Sequence, residues 1–229
     1  METPVAPTSA GVAVVVVLGF DGSDLLTVLA PSREATTTGL WRFPEGSIDG
    51  HTHATEAAYA ALEQLGAPKP PHLEPLSSTE SPGSNPADHV VSLGHLGLMT
   101  LLPQIGPRSY VQPNAAGAYT SGQNPRWRWQ PVDSVPLLAK NHARVLEYVR
   151  TWIRTQLPYS KRCLELLPNR FTWGQLQRAH ETVLGCELEK RNFRKRFQHT
   201  DLIRPRNEVY IAGAHRPAQL FEPAPASPS

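Results

Sequence analysis

Short apolar runs occupy the first part of the chain, and apolar positions spaced three and four apart take over towards its end. Val12 to Val17 and Leu25 to Leu29 are rich in valine and leucine, with Asp21-Gly22-Ser23-Asp24 between them. Runs of that length bounded by turn residues predict buried strands joined as a hairpin or close pair. Gly39 to Pro44 leads into a loop, after which the alanine-rich stretch Thr52 to Leu65 has the propensity of a helix, and Gly66 supplies its stop. Prolines and a Ser/Gly cluster between Pro68 and Ala87 predict a loop with at most one short strand. Strand character returns over Val90 to Leu102, and Gln104 to Gln123, rich in Gly, Asn and Pro, reads as an exposed excursion. Helix is expected to resume near Leu137. Val145, Leu146, Val149, Trp152, Ile153 and Leu157 then share one helical face. Pro158 blocks continuation of that helix, which sets a domain junction at about residues 155–160.

Beyond the junction the pattern predicts three helical segments and a hairpin. Lys161 to Leu167 comes first, closed by Pro168. A second begins after Thr172, which with Gln175 three positions on forms the capping box that satisfies two orphan backbone donors. Phe171 and Leu176 take the staple positions, and Leu176, Ala179 and Val183 form the inner face ahead of Gly185. The third helix is expected from about Glu187 to His199, anchored by Phe193 and Phe197. At 100° per residue, Arg191, Lys195 and Gln198 face outward with Asn192 and Arg194 beside them. Alternation around Val209, Ile211, Leu220 and Phe221 gives a hairpin whose tip carries Arg216.

Totals narrow the class. The 229 residues suffice for two domains, and 40% apolar with 18% charged residues describes a globular chain, with 23 prolines pointing to long, stiff loops. Gly11 to Phe20 is the most apolar run and spans about half of the roughly 20 residues a membrane helix requires. No basic residue precedes it, so it does not read as a secretory signal. Cys163 and Cys186 are too few for a disulfide framework or a zinc site, and a cytoplasmic location is the expectation. The net charge of +2 conceals a split. Residues 1–160 hold 10 Lys and Arg against 13 Asp and Glu, whereas residues 161–229 hold 12 against 7. A basic segment of that size suits nucleic acid, because each neutralised phosphate releases counterions; a solvated basic surface is the alternative. Helix, capped helix, tight turn, basic helix and basic hairpin in that order are the signs of a winged helix, with Arg forking onto guanine and Asn or Gln onto adenine.

The stretch after Trp41 resembles the signature of Nudix hydrolases, in which glutamates on one helix face hold the divalent metal that activates water. Trp41-Arg42-Phe43-Pro44-Glu45-Gly46 matches its entry, while Ala57-Ala58, Leu62 and Leu65-Gly66 fit its helix. Counted forward from Gly46, Thr52 stands at the first Glu position, Ala60-Ala61 at the Arg-Glu pair and Gln64-Leu65 at the Glu-Glu pair; counted back from Gly66, only Glu63 is recovered. His51, His53 and Glu56 form a weak substitute metal set, so no catalytic residue, metal ligand or cofactor is assigned. A divergent hydrolase acting on a nucleoside diphosphate derivative through Glu56 and Glu63 remains the alternative function, and a constitutive DNA-binding scaffold is a third.

Several further stretches carry a resemblance to the NrtR family of Nudix-related transcriptional regulators over residues 11–221. They are His72-Leu73-Glu74-Pro75-Leu76 with Asn85-Pro86 and Val90-Val91-Ser92-Leu93, then Arg128-Trp129-Gln130-Pro131-Val132 and Asn141-His142-Ala143. The most specific are Tyr159-Ser160, Leu166-Leu167-Pro168, Phe171-Thr172, Leu176, Leu184-Gly185, Arg191-Asn192-Phe193-Arg194 and Arg216-Pro217-Ala218. The resemblance implies an α+β chain: a Nudix-like α/β/α sandwich with a mixed sheet at residues 11–155, then a winged helix-turn-helix domain at 156–221, between tails at 1–10 and 222–229. It implies a sensor of ADP-ribose or another NAD-related nucleotide, acting as a homodimer on double-stranded operator DNA. Arg33 and Trp41 match the family's ligand-pocket entrance, and Arg191, Asn192, Arg194 and Lys195 its recognition helix. Gln198 and Arg216 join that DNA-facing set by their positions. Glu45 departs from the family's usual glycine before Gly46, and the box is one residue short.

Overall fold

The structure is a computed structural model that describes residues 10–32, 40–49, 52–82, 89–102, 126–139, 142–210 and 218–225. Contacts divide the chain into two compact units, Met1–Leu18 with Thr27–Gly97 and Asn114–Leu146, and Gly19–Leu26 with Leu98–Pro113 and Glu147–Ser229. Among the described residues no helix is long and apolar enough to cross a membrane.

The valine run forms β1 (Ala10–Phe20), followed by β2 (Leu25–Pro31). The turn between them is tied by the Asp21 carboxylate, which accepts from the backbone N–H of Ser23 and of Asp24 at 2.9 Å each, while Gly22 takes φ 105°. Then come β3 (Trp41–Arg42), β4 (Glu45–Ile48), α1 (Ala54–Leu65), β5 (Leu73–Pro82), β6 (His89–Thr100) and β7 (Arg128–Pro131). The mixed sheet runs β3-β2-β1-β6-β5, with β4 on β1 and β7 on β2. Val14 to Leu18 and Leu26 to Ala30, apolar except for Thr27, are buried along its centre, as strands covered on both faces should be.

Gly46 marks a close approach, since a Cβ there would stand 2.4 Å from the Ala57 carbonyl oxygen of α1. A side chain at this position would push the helix off the strand. α1 turns Ala57, Ala58, Ala61 and Leu62 inward and ends at Gly66, φ 65°, as its sequence predicts.

Three expectations need correction. β5 is ten residues long and pairs with β6 throughout, where the prolines suggested at most a short strand. It lies at the sheet edge, where proline costs no ladder bond, and its register shifts between Pro75 and Ser77. The loop expected after Pro44 contains β4. Finally, no helix begins near Leu137: the Trp41 N–H donates to the Leu137 carbonyl at 3.1 Å and the Ala139 N–H to the Trp41 carbonyl at 2.7 Å. These bonds keep Leu137 to Ala139 extended, and α2 (His142–Gln156) starts later. The excursion at 104–123 lies outside the described residues.

In the second unit a 3₁₀ segment, Lys161–Leu166, is followed by β8 (Phe171–Thr172), α3 (Trp173–Leu184), α4 (Lys190–Gln198), β9 (Ile203–Tyr210) and β10 (Ala218–Pro223). A three-stranded antiparallel sheet in the order β8-β10-β9 completes it. β10 continues through Pro223, past the point where composition places a tail, because Glu222 on it binds Arg204 and Arg206 of β9.

Candidate functional site

α3 and α4 place the basic face. The Thr172 hydroxyl accepts from Gln175 N–H at 3.3 Å and the Gln175 side chain accepts from Thr172 N–H at 2.8 Å, the predicted capping box. Gly185, φ 69°, ends α3. The next residues do not join α4 as the periodicity suggests. Gln177 donates to the Leu188 carbonyl at 2.8 Å, and the Glu181 carboxylate accepts from Leu188 N–H at 3.0 Å, so side chains hold that backbone extended. Glu189 then caps α4, its carboxylate accepting from Arg191 N–H at 2.9 Å and Asn192 N–H at 2.7 Å. Those two backbone bonds hold the Glu189 carboxyl below its ordinary range. An acidic residue ahead of a basic helix was its only signal in the sequence.

Phe193 and Phe197 are buried among Tyr159, Trp173 and His180, with ring centroids 5.0–6.5 Å apart. Anchored by this cluster, α4 exposes Arg191, Asn192, Lys195 and Gln198 together. Arg194 is half-buried, its guanidinium 5.7 Å over the Trp173 ring. Arg196, also exposed, lies 4.1 Å over Tyr159. The aromatic core thus aims a donor-rich surface outward and steadies its flanking arginines. Arg216 lies outside the described residues, as does Arg33.

In the first unit the residues of the Nudix-like entry split between the two faces of β3. Arg42 is buried, its guanidinium 3.6 Å from the Glu45 carboxylate and its Nε donating to the Pro31 carbonyl at 3.2 Å. The Phe43 N–H donates to His142 Nδ1 at 2.8 Å, so the ring proton sits on Nε2, which donates to Glu45 at 3.2 Å. Glu45 therefore has a structural partner on each side. Trp41, on the opposite face, carries Arg128, whose Cζ is 3.7 Å above the indole centroid.

α1 does not present a metal-binding face. Its two glutamates, Glu56 and Glu63, are exposed, and Glu63 pairs with Lys69 at 3.1 Å. Seven residues set their Cα atoms about 10 Å apart along the helix, and two carboxylates, one of them already paired with a lysine, are few for one ion. Counted forward from Gly46, the positions where the signature requires acid hold buried Ala61, exposed Gln64 and half-buried Leu65, and Thr52 is bonded to Asp49. Such a donor set does not fit a divalent cation. Among the described residues no three His, Cys, Asp or Glu side chains gather as metal ligands; His51 of the substitute set lies outside them.

Comparison with known proteins agrees with both halves. Residues 163–222 match the model of the NrtR DNA-binding winged helix domain. The ADPR responsive transcriptional repressor NtrR of Acinetobacter baylyi is 24% identical over 210 residues, 90% of this chain and 78% of the relative. Shewanella oneidensis NrtR superposes with a TM-score of 0.72 at 24% identity, covering 93% of each chain. The same protein complexed with a 27mer DNA gives 0.71 at 21% identity over 93% of this chain and 92% of that one. A MutT/nudix family protein of Enterococcus faecalis gives 0.66 at 15%, covering 97% and 89%. Residues 163–222 thus form an NrtR-type winged helix domain, and the chain as a whole shares the fold of Shewanella oneidensis NrtR, with a Nudix-like part ahead of that domain.

Proposed function

We propose that this chain is a sequence-specific DNA-binding transcriptional regulator whose Nudix-like domain, at residues 11–155, senses ADP-ribose or a related NAD metabolite without hydrolysing it. The winged helix, residues 156–221, binds operator DNA, and the regulator works in the cytoplasm as a homodimer on two half-sites. One observation carries this reading: Arg191, Asn192, Lys195 and Gln198 are exposed on a single helix whose other face is fixed by Phe193 and Phe197. Those side chains suit base edges in the major groove, with Arg194 and Arg216 supplying phosphate contacts. The similar repressor of Acinetobacter baylyi is ADPR responsive, which supports the choice of effector. Arg33 and Trp41 are the proposed ligand contacts. Loss of the acidic positions on α1 supports sensing over hydrolysis.

In-vitro selection of bound duplexes by the full chain, with and without ADP-ribose, tests the proposal. Enrichment of a palindrome whose recovery changes with ADP-ribose is expected. Asn192→Ala should relax the preference at one position per half-site, weakening binding by roughly 1–3 kcal/mol. Selection that enriches no sequence contradicts it.

A further inference from the structure

The backbone of Trp41 is bonded on one side to Leu137 and Ala139 and paired with Pro31 on the other, which fixes the point from which its side chain leaves the strand. Over its ring lies Arg128, from β7. Arg42, next to Trp41 on β3, and Arg128, on β7, are treated differently. Arg42 faces a carboxylate, Glu45, inside the unit. Arg128 has no hydrogen-bond or ion-pair partner among the described residues, and its Nε is buried without one. Burial also lowers its pKa from the ordinary arginine value, a sign that its charge is partly stripped of water. A guanidinium stacked on an indole keeps all its N–H donors in the plane of the stack, directed past the ring edge, where they fit two oxygens of a phosphate.

We infer that Arg128, stacked on Trp41, is an anion-binding residue that receives the phosphate of a nucleotide ligand. This rests on the nucleotide-sensing reading above and adds to it the group that replaces metal as the counter-charge. In a fold whose helix lacks the glutamates to hold a cation, the ligand's negative charge must be met by the protein itself. Arg128 is already partly desolvated and held over Trp41, so less rotamer freedom is lost when the anion arrives.

Calorimetric titration of the full chain with ADP-ribose at several salt concentrations tests this. Arg128→Gln is expected to weaken binding by roughly tenfold or more, to flatten the salt dependence, and to leave the unliganded Tm nearly unchanged. Arg128→Lys, which keeps the charge but loses the planar fork, should recover only part of the affinity. Wild-type affinity and salt slope in Arg128→Gln overturn the inference while leaving nucleotide sensing intact. If that variant does not fold, wild-type affinity in Arg128→Lys overturns it equally. A wild-type chain that binds no ADP-ribose overturns the sensing of this nucleotide, and the inference with it.

Discussion

His180 lies within 5.0–5.4 Å of the rings of Tyr159, Phe193 and Phe197, so a proton added to it would find little water. Its Nδ1–H donates to the Leu176 carbonyl at 2.7 Å and its Nε2 accepts from the Tyr159 N–H at 3.5 Å, which fixes the neutral tautomer. Burial pushes its pKa down from 6.5 to about 4. Between those values the unfolded chain binds the proton and the folded chain does not, so stability rises with pH across this window and falls as the solution is acidified. The loss between pH 7 and pH 5 should be roughly 2 kcal/mol. Urea unfolding of the wild type at the two pH values, beside His180→Gln, measures it. The variant should show a much smaller pH difference, and an equal difference in both proteins would assign the effect elsewhere. The neighbouring Cys163 thiol, raised to about 12 by burial, stays protonated throughout.

Elements with local signals were the legible ones. The capping box needs only Thr172 and Gln175, and the inner face of α4 only two phenylalanines four apart, so both follow from the sequence. What depends on distant partners did not. β5 was hidden by prolines that an edge position tolerates, and the start of α4 by side chains of α3 that hold Leu188. Likewise the stack of Arg128 on Trp41 and the bond between His142 and Glu45 join residues far apart in the chain, which no spacing rule reports. The outward direction of Arg191 and Lys195 was legible because helical periodicity and two anchors determine it. Thr172→Ala removes one half of the capping box and should lower the unfolding free energy by about 1 kcal/mol, whereas Thr172→Ser should restore most of it. Equal stability of all three proteins in urea titrations would mean that the bond contributes nothing.

On the scale of the whole chain, charge and chemistry are segregated. Basic excess is confined to residues 161–229, and the sequence before it is slightly acidic. The proposed regulator joins these parts as two states whose balance both ligands bias, which makes the coupling reciprocal by thermodynamic necessity. A ligand that binds both states equally would shift nothing, however tightly it bound. The direct measurement is the affinity of the 229-residue chain for ADP-ribose, free and saturated with its selected operator duplex. The account predicts that the two affinities differ by the same factor by which ADP-ribose changes operator affinity. Identical ADP-ribose affinities in the two titrations would contradict it.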